Sequence, residues 1–138
     1  MGFRRFAFSI AATLLGANLL ACSIASSPAI SGESLARRIA SDDAPVVLDV
    51  RSDSEYEAGH VPGAIHIPFH SLASRYEELS IDKDRTVVVY CAHGPRAAWA
   101  GRALRNAGYT DVVYLAGHMS AWQDAGRPVV TNATPSVE

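Results

Sequence analysis

Apolar positions along the chain switch between two periods. From Gly32 to Ala40, Leu35 and Ile39 stand four apart among polar neighbours, the spacing of a helix with one buried stripe; Ser31 is placed to cap it and Glu33 lies in its first turn. Val46 to Val50, preceded by Pro45, is a short strand without alternation. Asp53 to Ala58 predicts a brief helix ended by Gly59, and Ala64 to Ile67 a strand stopped by Pro68. The helical period returns from Ser71 to Leu79, with Leu72, Tyr76 and Leu79 on one face. Thr86 to Tyr90 is the most β-branched strand. Arg96 to Ala107 then reads as a helix closing on Gly108, burying Ala100, Ala103, Leu104 and Ala107 opposite Arg102 and Arg105. Val112 to Leu115 is a further strand, and Met119 to Asp124 a last helix before Gly126.

Short strands that do not alternate, separated by helical segments, imply an α/β fold whose parallel sheet is covered on both faces. In such sheets ligands bind at the carboxyl edge of the strands, beside a helix start. Cys91 falls at that edge: Val87-Val88-Val89-Tyr90 runs into Cys91-Ala92-His93-Gly94-Pro95-Arg96-Ala97 and then into the Ala-rich helix. A sulfur held there faces backbone N–H groups at the positive end of a helix, a setting that stabilises a thiolate or an anion attached to it.

The ends carry a different signal. Arg4 and Arg5 precede an uncharged, mostly apolar run from Phe6 to Ala21, shorter than the roughly 20 residues that span a bilayer and suited to a signal peptide. It closes on Leu19-Leu20-Ala21-Cys22, which resembles the bacterial lipoprotein signal, with Cys22 as the lipidated residue. The expected organisation is a signal peptide over 1–21, a tether over 22–30, one domain over 31–130 and a flexible tail over 131–138. Export to the periplasmic face of a bacterial membrane follows, the outer membrane being favoured by Ser23 after the cysteine. Plain secretion, with cleavage after Ser23-Ile24-Ala25, and an uncleaved anchor are the alternatives.

A net charge of −2 over 138 residues, without a basic run, gives no reason to expect nucleic acid. The two cysteines have separate expected roles, which leaves Cys91 as the lone thiol of the domain. No second cysteine is present there to resolve a mixed disulfide, so thiol–disulfide exchange is disfavoured. The five histidines are scattered, and Pro68 separates His66 from His70, so no metal or other cofactor is expected.

Three segments together resemble the rhodanese family of single-domain sulfurtransferases. The first is Val47-Leu48-Asp49-Val50-Arg51 with Glu55 to Pro68. The second is Val89 to Arg96. The third is Val113-Tyr114-Leu115-Ala116-Gly117-His118 with Trp122, Gly126 and Pro128. The resemblance implies five parallel strands in the order 1-5-4-2-3, helices on both faces, and Cys91 as the residue that becomes a persulfide. It implies a sulfane sulfur moving from a donor such as thiosulfate to cyanide, a thiol or a sulfur-accepting protein. Two departures stand out. The family usually has two adjacent glycines where this chain has Gly117-His118, so a side chain there narrows the approach or adds a donor. Pro95 contributes no N–H to the loop.

The amides of Ala92, His93, Gly94, Arg96 and Ala97 are the candidate donors around the terminal sulfur. Arg96 is placed either to meet an anionic donor or to make an ion pair at the helix start. His93 either touches the substrate or faces solvent. Asp49 and Arg51, two apart at a strand end, point the same way and form either a charged rim, with His118, or a structural ion pair. His60 is expected to hydrogen-bond a turn, and Trp99 and Trp122 to pack or line the rim. A phosphatase or arsenate reductase would have a Cys…Arg loop one residue longer than the four residues enclosed here. A non-catalytic or persulfide-carrying module tethered to the membrane is the second reading.

Overall fold

The computed structural model describes residues 27–132. Cys22, the apolar run before it and the chain after Asn132 lie outside them. The elements are β1 (Ala29–Ile30), α1 (Gly32–Ala40), β2 (Val46–Asp49), α2 (Asp53–Ala58), β3 (Ile65–His66), α3 (Leu72–Arg75) with a 3₁₀ turn (Tyr76–Leu79), β4 (Val87–Tyr90), α4 (Pro95–Asn106), β5 (Val112–Leu115) and α5 (His118–Asp124). The five strands form one parallel sheet in the order β1-β5-β4-β2-β3.

The sequence punctuation is visible at the helix ends. Ser31 Oγ accepts the Ser34 N–H, and Ser52 Oγ accepts that of Glu55, whose carboxylate in turn takes the Ser52 N–H. These bonds satisfy donors that a helix start leaves without partners. The expected helix over Ser71–Leu79 is instead broken into an α turn and a 3₁₀ turn. Leu72 and Leu79 still bury on one side.

Both faces of the sheet are covered, and β4 shows how. Val87 and Val89 point to the face packed by Leu72, Leu79, Ala97, Ala100 and Leu104 of the α3 and α4 layer. Val88 and Tyr90 point to the other, with Leu35 of α1 and Met119 and Trp122 of α5. Every position of β4 is therefore inside, which is why its sequence lacks alternation. Cys91 continues the same period onto the α4 face.

Ala29 and Ile30, at the end of the segment expected as a tether over 22–30, form the edge strand β1. Ala29 pairs with Tyr114 and Ile30 with Leu115, while Tyr114 donates its N–H to Pro28 O at 2.9 Å. A two-residue edge strand carries no periodicity to read, so only its partner reveals it. Because Tyr114 is in register with Val89, this strand lies level with the carboxyl end of the sheet. At the other end, Val130 pairs with His60, and the Asn132 N–H donates to Glu57 O at 3.1 Å. The chain thus stays attached past the expected domain end at residue 130.

Candidate active site

Cys91 follows directly on β4 and is 1% exposed. Its Sγ accepts the Gly94 N–H at 3.0 Å. Gly94 has φ 129°, a backbone region that side chains rarely adopt, so the loop turns there on a glycine. Pro95 then opens α4, where its missing N–H costs the helix nothing. The first bond of this helix runs from the Ala98 N–H to Gly94 O at 2.9 Å. The amides of Ala92, His93, Arg96 and Ala97 have no acceptor among the described residues. Of the five expected donors, the Gly94 amide meets the sulfur directly. Those of Arg96 and Ala97 lie in the first turn of α4, where N–H groups project back toward the loop.

The Arg96 side chain resolves to the ion-pair alternative. Its Nη1 and Nη2 donate to Glu55 Oε2 and Oε1 at 2.7 and 2.8 Å, a bidentate clamp between α4 and α2. The clamp holds the Glu55 carboxyl down at about 2, chiefly through this hydrogen bond, and raises Arg96 in return. The guanidinium expected to meet an anionic donor is thus already occupied.

Asp49 and Arg51 do not form a rim. They are 0% and 5% exposed and make a buried ion pair, with Arg51 Nη2 2.7 Å from Asp49 Oδ2. The rim reading fails because both side chains turn inward at the strand end. There Arg51 also donates to Gly59 O at 2.7 Å, and Asp49 accepts the Tyr90 hydroxyl at 2.6 Å. Tyr90 Oη in turn accepts the Val61 N–H at 3.1 Å. Burial, then Asp49, pushes the Tyr90 hydroxyl far above its ordinary range, so it stays a donor. This network fixes the ends of β2 and β4 beneath the Cys91 loop.

His93 is exposed, in agreement with its solvent-facing alternative. His60 Nδ1 pairs with Tyr56 O at 2.9 Å, and the two rings stack. Trp122 is a packing residue, with Nε1 donating to Pro128 O at 2.8 Å; Trp99 is 46% exposed against Phe69. His118 stands at the head of α5 with φ 54° and is half-buried. Its Nδ1 lies 3.4 Å from the Cys91 backbone nitrogen, so it faces the loop as an acceptor. A groove beside the loop is lined by Gly94, Pro95, Ala98, Tyr114 and His118, with Ser27 at its border.

Two contributors went unread in the sequence. Glu55 was detectable as the acidic end of a Ser52-x-x-Glu55 capping box. Tyr90 carries a polar tip inside an apolar strand, and a buried tyrosine hydroxyl normally has a partner.

A family model for the rhodanese-like domain matches residues 31–125. The chain is similar to a sulfurtransferase of Allochromatium vinosum, 38% identical over 101 residues that make up 73% of this chain and 92% of that one. It is also similar to a putative sulfur carrier protein of Bacillus subtilis, 33% identical over 95 residues, but spans only 50% of that protein's length. Among solved structures, the Alr3790 protein from Anabaena superposes with a TM-score of 0.68 at 31% identity, covering 76% of this chain and 94% of the other. The matched residues run from before α1 to just past α5 and include the Cys91 loop, and on this ground the chain belongs to the rhodanese-like domain family.

Proposed function

We propose that the protein is a sulfurtransferase that works through a Cys91 persulfide. The Cys91 thiolate attacks the outer sulfur of thiosulfate, the donor's S–S bond breaks, and sulfite leaves with the electron pair. A persulfide, negative on its terminal sulfur, remains. Cyanide or a thiolate, free or on a protein, then attacks that sulfur and Cys91 leaves as thiolate. The cysteine thereby divides one transfer into two displacements.

The observation that carries this reading is the Gly94 N–H on Cys91 Sγ at 3.0 Å, beside four amides without acceptors among the described residues. Such donors stabilise charge where it develops and need no reorganisation. With Arg96 held by Glu55, the positive potential of the cup comes from the backbone and the start of α4. The sulfurtransferase named among the relatives supports the same reading.

The test is thiocyanate formation from thiosulfate and cyanide, with the protein beside its Cys91→Ser variant. Turnover that disappears in the variant is the expected result. Absence of turnover in the folded wild-type protein overturns the thiosulfate reading. The persulfide-carrier alternative is favoured by the burial of Cys91 and by Pro95, which leaves one position of the loop without a donor. It predicts one added sulfur on Cys91 by intact mass, without turnover. We further propose that the chain is exported and held at the periplasmic face of a membrane through a lipid on Cys22, on the strength of the Leu19-Leu20-Ala21-Cys22 pattern.

A further inference from the structure

We propose that His118 is a positioning residue for the nucleophile: its neutral imidazole accepts the Cys91 N–H and seats Gly94 against the sulfur. The proposal rests on the sulfurtransferase reading of Cys91 and adds a role to a residue at which the chain departs from the paired glycines that the family resemblance implies.

The head of α5 grips the nucleophile's main chain from several sides. His118 Nδ1 lies 3.4 Å from Cys91 N, the Met119 N–H donates to Cys91 O at 3.0 Å, and the Ser120 N–H donates to Ala92 O at 3.2 Å. Three consecutive residues thus take both polar groups of Cys91 and the next carbonyl. On the far side of the ring, Nε2 would lie 3.3 Å from a Cβ placed on Gly94, whose N–H points at Sγ. One imidazole therefore meets the Cys91 amide and leaves little room for a side chain on Gly94.

The backbone makes this side chain conspicuous. Gly117, with φ 71°, must be glycine, because a Cβ there would stand 2.4 Å from Ala121 Cβ. His118 is also left-handed, at φ 54°, where glycine is the easier residue. Histidine tolerates that region better than most side chains, and the contacts of its ring offset the remaining preference.

An accepting Nδ1 requires the proton on Nε2 and a neutral ring. Protonation would set N–H against N–H and release Cys91. Among the described residues, Cys91 meets the ring through its amide, His93 of the loop acts on it through its charge, and Tyr114 of β5 shares its groove. The residues that β1 and α4 bring to that groove, Ala29, Pro95 and Ala98, are uncharged. Burial, and then His93, holds His118 below the ordinary imidazole range, so the accepting form prevails at neutral pH.

The test compares wild type, His118→Gly and His118→Asn in single-turnover persulfide formation from thiosulfate across pH, with backbone NMR of the Cys91 amide. His118→Gly should slow persulfide formation roughly tenfold, about the worth of one hydrogen bond. His118→Asn should restore most of the rate, since asparagine accepts the left-handed backbone and its Oδ1 replaces Nδ1. In acid the wild-type rate should fall with one more proton than that of the asparagine variant. The wild-type Cys91 amide resonance should follow the His118 titration. A glycine variant with wild-type rate and profile, or a Cys91 amide blind to that titration, overturns the proposal. An amide that follows His118 in a protein forming no persulfide upholds the positioning and defeats the sulfur chemistry instead.

Discussion

Asp49, Arg51 and Tyr90 show how single side chains hold the floor of the site. Asp49 receives Arg51, the Arg51 N–H and the Tyr90 hydroxyl, and all three residues are buried. Removing one partner of a buried ion pair strands the other, at a cost of about 3–5 kcal/mol. Arg51→Met should therefore lower unfolding stability by about that amount in urea titrations. Asp49→Asn combined with Arg51→Met should recover more than half of the loss, because no charge is then left without a counterion. Cys91 and its loop were legible in the sequence because they are local: a strand end, a glycine and a helix start lie within a few residues. The partner of Arg96 was not, since Glu55 lies 41 positions away and only the fold brings it there. The same holds for the tilt of Asp49 and Arg51. Their common direction follows from strand geometry, but whether they face water depends on what packs above them.

At the level of elements, the Arg96–Glu55 clamp is the side-chain link between α2 and the start of α4. Glu55→Gln isolates its charge, because glutamine also serves a capping box. The Glu55 carboxyl is held at about 2 in the folded protein against 4.5 ordinarily. A folded value below the unfolded one means stability that is present above pH 4.5 and lost as pH falls through about 2. Side chains this exposed are screened by solvent, so the advantage of wild type over Glu55→Gln should be about 1 kcal/mol at pH 7. Denaturant titrations at pH 7, 4 and 2 should show that gap narrowing toward the acid end; a gap constant with pH would contradict the clamp. Elements with chemical punctuation were readable: α1 begins after Ser31, and α2 ends at Gly59. Where the marks are weak the reading slipped, as in the break between α3 and the 3₁₀ turn, and β1 was too short to carry a period.

Across the whole molecule, the parallel covered sheet was evident from helices alternating with strands that lack alternation, whereas the strand order came from the family resemblance. Expressed from its full sequence in a bacterium, the protein should fractionate with membranes and enter detergent, and Cys22→Ser should release it or leave its leader uncleaved. Membrane association unchanged in that variant would argue against a lipid on Cys22. The register of β1 gives the proposed anchor a geometric meaning. The chain enters the domain at the carboxyl end of the sheet, and Ser27 borders the groove that Gly94 and His118 line. Five residue steps lead from Cys22 to Ser27, a reach of at most about 18 Å when fully extended. A lipid on Cys22 would leash the Cys91 thiol to the bilayer surface, so a sulfur acceptor of the proposed reaction would have to be met within a layer barely thicker than the domain itself.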